Sequence, residues 1–151
     1  MLFITTSRKP SQLTRKLCRW MGRFLGDYDN RGKSSLDALA ERAEKKGFNR
    51  LLIVYEKDGN PNEFAFYQGK WLDVGIRVTG IVWPEGVQKR VPKEAKVVAL
   101  DAVGRKVKEL FCLREPEGDA VVIKASASQM TFEVDGERVG PKLKIKVVTN
   151  G

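Results

Sequence analysis

Arg15, Lys16, Arg19 and Arg23 are four cations set three or four residues apart, and they are the first residues in the chain whose type and spacing suggest chemistry. On a helix turning about 100° per residue, with Arg15 at zero, Arg19 falls at about 40°, Arg23 at about 80° and Lys16 at about 100°. The apolar Leu13, Leu17, Trp20 and Phe24 fall at about 140° to 200°, so the cations and the apolar stripe occupy different sectors. No Asp or Glu interrupts the run between Met1 and Gly26. Surface helices ordinarily mix signs, whereas a face of one sign suits a row of phosphates. A merely solvated face is the plain alternative.

Three other stretches offer positive charge. Thr5-Thr6-Ser7-Arg8-Lys9-Pro10-Ser11 places three hydroxyls and two cations at the start of that helix, where free backbone N–H groups favour an anion and Ser11 also suits a simple cap. Arg31-Gly32-Lys33-Ser34 invites a phosphate-loop reading, but the glycine required five residues before Gly32 is Asp27, and the stretch follows a helix instead of a strand. Arg31 and Lys33 are better read as contacts to RNA, with Ser34 or Ser35 capping the next helix. Lys142, Lys144 and Lys146 alternate with Leu143, Ile145 and Val147, giving a strand with one apolar face and one row of lysines. Such a row either meets phosphates or guards a sheet edge. The polyanion-binding set is therefore Arg8, Lys9, Arg15, Lys16, Arg19, Arg23, Arg31, Lys33, Lys142, Lys144 and Lys146.

Catalytic constellations are poorly supported. The chain has no histidine, which removes Ser-His-Asp and Cys-His arrangements, and its two cysteines, Cys18 and Cys112, are far apart. A zinc or iron–sulfur site lacks ligands and no cofactor motif is found; two buried, reduced thiols are expected, with a disulfide as the alternative that spacing alone leaves open. Glu56, Asp58 and Glu63 gather around a turn, where solvation accounts for them. Phe64-Ala65-Phe66 faintly resembles the aromatic strand of an RNA-recognition motif, but Asn62-Glu63 stands where Lys/Arg-Gly should, so these rings are read as core.

The elements that must position these residues follow from periodicity. A strand over Phe3–Ser7 leads to a helix beginning near Pro10 and carrying Leu13, Leu17, Trp20, Met21, Phe24 and Leu25 on one face, ended by Gly26-Asp27. After a polar loop, a second helix runs from Ser35 to Lys46, stopped by Gly47. Strands are expected at 51–55, 64–67 and 76–83, a third helix at 101–113, and closing strands at 120–125, 130–134 and 143–148. The stretch Val87–Leu100 carries no readable pattern. These 151 residues suit one mixed α/β domain with a substantial core.

The net charge of +9 is unevenly spread. Residues 1–35 hold eight Lys/Arg against two Asp, residues 36–83 hold seven against seven, and residues 84–151 hold thirteen against ten. That asymmetry points to a polyanion, nucleic acid being the commonest one in cells, with solubility alone as the other explanation. No apolar run reaches bilayer length and the first residues lack a signal-peptide pattern, so a cytoplasmic protein with no membrane partner is expected.

Three stretches in order resemble the Brix-domain family of ribosome-biogenesis proteins. They are Ile4-Thr5-Thr6-Ser7-Arg8-Lys9-Pro10-Ser11; then Asn30-Arg31-Gly32-Lys33 with Gly47-Phe48-Asn49-Arg50-Leu51-Leu52-Ile53-Val54 and Gly59-Asn60-Pro61; and Val103-Gly104-Arg105-Lys106-Val107 through Leu110-Phe111 to Val139-Gly140-Pro141-Lys142-Leu143. The likeness spans nearly the whole chain and is to the short archaeal form. It implies a single compact domain over 1–151, made of two similar α/β halves of approximately 1–72 and 73–151. This domain of two halves is expected to resemble the anticodon-binding domain of class II aminoacyl-tRNA synthetases. It also implies binding to precursor ribosomal RNA during rRNA processing and subunit assembly, without catalysis and without a small-molecule substrate, alongside ribosomal or assembly proteins. A protein-binding scaffold and a metal-dependent enzyme acting on RNA are the competing classes.

Overall fold

The computed structural model describes residues 1–86 and 90–149. Its first strand, β1 (Leu2–Thr6), is buried throughout: Leu2 and Ile4 join one core cluster and Phe3 another, the alternation of a strand covered on both faces. Ser11 then caps α1 (Gln12–Leu25), its hydroxyl accepting from the Thr14 amide at 3.2 Å, and Leu17, Trp20, Met21 and Phe24 turn inward. The chain continues through β2 (Gly26–Tyr28), α2 (Leu36–Lys45, capped by Ser35), β3 (Leu51–Lys57), β4 (Asn60–Tyr67) and β5 (Val74–Val82). It closes with β6 (Ala95–Ala99), α3 (Ala102–Phe111), β7 (Val121–Ala125), β8 (Gln129–Val134) and β9 (Glu137–Thr149). Among the described residues no helix is long and apolar enough to cross a membrane.

All nine strands form one sheet, in the order β2-β1-β3-β4-β5-β9-β8-β7-β6. β1 pairs with β3 in parallel, then β4 and β5 follow antiparallel; β6 pairs with β7 in parallel, then β8 and β9 follow antiparallel. The same series of pairings thus occurs twice, joined where β5 meets β9. Because β5 pairs with β4 as well as with β9, the first series runs on past residue 72 and ends with β5.

Helices α1 and α3 cover one face of the sheet, and their residues share a continuous core with the strands, β2 joining it through the partly buried Tyr28. Trp20 of α1 reaches Phe132 of β8 at 4.7 Å between ring centroids, edge to face, while Phe111 of α3 meets Phe66 of β4 at 5.9 Å. The two series therefore pack as a single mixed α/β domain. On the other face α2 packs Leu39 and Ala43 against Phe3 and Leu51. Among the described residues no helix covers that face from β4 to β6.

Two glycines of the sequence resemblance hold close approaches. Gly104 lets α3 lie against the Ala125 carbonyl and Ala99 backbone, and Gly140, at φ 64, lies so near Trp20 that an added methyl would overlap the indole.

Several expectations need correction. The sequence pattern gives no sign of β2 or β6, and β9 begins at Glu137, not Leu143, because the strand runs through Gly140-Pro141. Val87–Lys89, the start of the unassigned stretch, lie outside the described residues. Cys18 is buried, which pushes its thiol up, but Cys112 is exposed at the left-handed end of α3.

Candidate nucleic-acid interface

Where β1 ends, the chain turns through Arg8 and Lys9 into α1, and the loop after β2 folds back beside it. Between them lies a cleft of about 400 Å³ that gathers Lys9, Arg15, Arg31 and Lys33, together with Thr6 and Asn30. No carboxylate lines it. Its loop wall is braced from within: the Arg31 Nε donates to the Ser34 carbonyl at 3.2 Å, and Arg42 donates to the Ser34 hydroxyl at 2.7 Å and to Asp29 at 3.1 Å. Lys46 pairs with Asp27 at 3.2 Å. The only acidic residues before Asp37 are thus already neutralised by α2 and its cap residue, and the four cations of the cleft keep their charge uncompensated.

The α1 N-terminus itself is occupied. Glu56, at the end of β3, accepts from the Ser11 amide at 2.9 Å and from the Thr14 hydroxyl at 2.6 Å, while the Ser11 hydroxyl donates to the Gly59 carbonyl. Desolvation raises the Glu56 carboxyl, but these hydrogen bonds outweigh it and hold it below the ordinary value. The expectation of an anion at this helix end is corrected: the anion is the chain's own carboxylate, and solvation does not account for Glu56.

Arg15, Arg19 and Arg23 stand exposed along the outer side of α1, with Lys16 beside them. Lys16 turns its Nζ over the Trp83 ring, 4.2 Å from the centroid. Among the described residues none of the eleven candidate cations is in an ion pair. Arg15 belongs both to this row and to the cleft, so the two form one continuous positive surface with Arg8 exposed near its end.

Lys142, Lys144 and Lys146 do not join it. Leu143 and Ile145 share the core that α1 covers, so strand alternation sends the lysines to the opposite face of the sheet. The edge-guard alternative also fails, because β9 lies mid-sheet, paired with β5 and β8. The loop at Arg31 follows a short strand, β2, so one ground for refusing the phosphate-loop reading falls; the other stands, since the needed glycine is Asp27.

A curated relative from Methanococcus maripaludis, named a probable Brix domain-containing ribosomal biogenesis protein, is 30% identical over 165 aligned residues, covering 97% of this chain and 96% of the relative. The chain belongs to the Brix-domain family. A Brix-domain relative of the same name from Methanosarcina barkeri is 42% identical over 67 residues, 44% of this chain and 41% of that protein. The crystal structure of Mil, an archaeal Imp4-like protein, is similar with a TM-score of 0.79 at 26% identity, covering 99% of each chain. No protein-family model matches the chain.

In this Brix-domain chain, Arg77 escaped sequence reading. It lies opposite Lys146 across β5 and β9 and adds an exposed cation to the lysine face, where Lys144 and Lys146 are exposed and Lys142 half-buried. The signal was present: Ile76 and Val78 point inward, so alternation alone sends Arg77 outward.

Proposed function

We propose that this chain is a ribosome-biogenesis factor that binds precursor ribosomal RNA during processing and subunit assembly, acting in the cytoplasm by binding rather than by catalysis. The observation that carries the reading is the continuous surface of unpaired cations formed by the cleft and the outer side of α1. A polymer with regularly spaced phosphates, held by release of its counterions, is the ligand such a surface suits. The names of the curated relatives support the setting. The twice-repeated series of strand pairings supports a single domain of two similar halves, resembling an anticodon-binding domain.

The test is binding to a structured rRNA fragment across a salt series. Contact with roughly four to six phosphates gives a slope of log affinity against log salt of about −3 to −5. Reversing Arg15, Arg19 and Arg23 together to Glu weakens binding and flattens that slope while leaving the fold intact, because these side chains face solvent. Leu17→Asp instead unfolds the domain by burying an unpaired charge. A flat salt dependence, or affinity no greater than that of an unrelated protein of equal charge, defeats the proposal.

A further inference from the structure

The two series of strands differ at their outer edges. In the first, β1 carries β2 along its free side, paired in parallel. β6 holds the corresponding place in the second series, parallel to β7 and followed by α3 as β1 is followed by α1. Among the described residues, however, no strand pairs with its other side. The reason lies just after the helices. Gly26 follows α1 so close to β1 that an added Cβ would overlap the Leu2 carbonyl. Cys112 follows α3, and its side chain denies the same approach. Residues 112–115 therefore run past β6 without pairing, and a cleft of about 850 Å³ opens between them with α3 as its third side.

The backbone on this side of β6 is free to bond. The Glu94 carbonyl and the Leu100 amide bond to β7, so alternation turns the N–H and C=O groups of Ala95, Val97 and Ala99 to the free side. Among the described residues no hydrogen bond takes these groups up. Ala95 and Val97 belong to the core that α3 covers, so Lys96 and Val98 face the uncovered side of the sheet. Val98 and Leu100 are both exposed. Edge strands are ordinarily guarded by charge, a bulge or a covering segment, and β6 has a single lysine. Charge around the cleft is uneven: Lys96, Arg105, Lys108 and Arg114 stand against Glu109 and Glu115. Among the described residues none of the six is in an ion pair.

We propose that this cleft receives a protein partner: an extended acidic segment that pairs with β6 as a further strand, taking in the second series the place that β2 holds in the first. Pairing with the backbone of Ala95, Val97 and Ala99 supplies the affinity. Carboxylates on the helix side of the segment meet Arg105 and Lys108, and apolar side chains on its other side lie beside Val98. RNA satisfies the cations, but a phosphate backbone offers no amide to the Val97 carbonyl. A second copy of this chain brings the same positive excess, which repels. The cleft shares no residue with the cationic surface of α1, so this inference stands apart from the RNA-binding reading.

The test uses the full chain and a labelled nine-residue peptide that alternates glutamate with valine. Amide hydrogen exchange reads the pairing: the Ala95, Val97 and Ala99 amides exchange freely in the free protein and slow about tenfold or more with peptide bound. The Lys96 and Val98 amides, turned to β7, are slow in both states. Proline in place of every valine, which removes the donors, weakens binding by about tenfold or more, and so does lysine in place of every glutamate. Lys108→Glu together with Arg114→Glu, both at exposed positions, weakens binding of the glutamate peptide about tenfold by fluorescence anisotropy. If that double variant does not fold by circular dichroism, Val98→Lys guards the edge with charge and decides by the same comparison. Failure of the glutamate–valine peptide to bind, or binding that leaves the three amides unprotected, overturns the proposal. Displacement of the peptide by a twelve-residue oligouridylate that protects the same amides overturns it too, and gives the cleft to nucleic acid.

Discussion

Glu56 and Gly140 each do work that their neighbours in sequence do not announce. Glu56 ties the β3–β4 turn to the start of α1 through Ser11 and Thr14, sequence separations of 45 and 42 residues. Asp101 does the corresponding thing in the second series, capping α3 through the Gly104 amide and accepting from the Ala127 amide, each at 2.8 Å. Hydrogen bonding holds the Glu56 carboxyl below its ordinary value, so its contribution is present above the unfolded value of about 4.3 and is lost as pH falls through the folded one. Glu56→Gln should therefore cost about 1 kcal/mol at neutral pH, with wild type and variant converging as pH falls below about 4. Urea melts at pH 7 and pH 3 check this; a gap that stays constant with pH would remove the charge from the explanation. Gly140 combines a left-handed φ with the Trp20 ring overhead. Gly140→Ala is expected to cost about 2–4 kcal/mol, seen as a lower urea midpoint at unchanged slope. Gly136→Ala, at φ 79 but facing open space, should cost only about 1 kcal/mol.

At the scale of elements, what the sequence disclosed was whatever depends on local periodicity. α1 was legible from its cap, its 3,4-spaced apolar residues and its terminal glycine, and so was the outward direction of Arg15, Arg19 and Arg23. β2 was not, because three residues owe their strand form to parallel pairing with β1 rather than to any pattern of their own. β6 was hidden because Ala95-Lys96-Val97-Val98-Ala99 alternates only in part and lacks a turn signal at either end. The alternation of β9 was readable, but whether its lysines sat at an edge or mid-sheet depended on strand order, which is non-local. The same limit applied to the cleft: each cation was nominated singly, and only the fold brings Lys9 and Arg15 beside Arg31 and Lys33. The two sides of β9 should behave very differently. Leu143→Ala, emptying a fully buried site, should cost about 2–5 kcal/mol, whereas Lys144→Thr should change stability by no more than about 0.5 kcal/mol. Denaturant midpoints give both values, and a large loss from Lys144→Thr would mean that the lysine row is structural.

Across the whole molecule, the positive charge is divided by the sheet. The surface of the cleft and α1 lies on the side covered by helices, and the row of Arg77, Lys142, Lys144 and Lys146 lies on the other, with the core between them. One groove holding a single RNA helix across both is therefore excluded by strand alternation, even though both regions are basic. A short duplex is too stiff to wrap around the edge of the sheet, so on the proposed RNA-binding reading the two surfaces would meet separate segments of RNA. Reversing Arg15, Arg19 and Arg23 should then weaken duplex binding whether or not Lys142, Lys144 and Lys146 are also reversed. If the lysine row also meets phosphates, reversing it should weaken RNA binding in the same independent way, so that the two free-energy losses add. Each set should then also lower the salt slope by its own amount. Duplex affinity across a salt series, for each set reversed alone and for both together, gives the check. A combined loss well short of the sum would place both sets on one surface, and the division by the sheet would then have no bearing on binding.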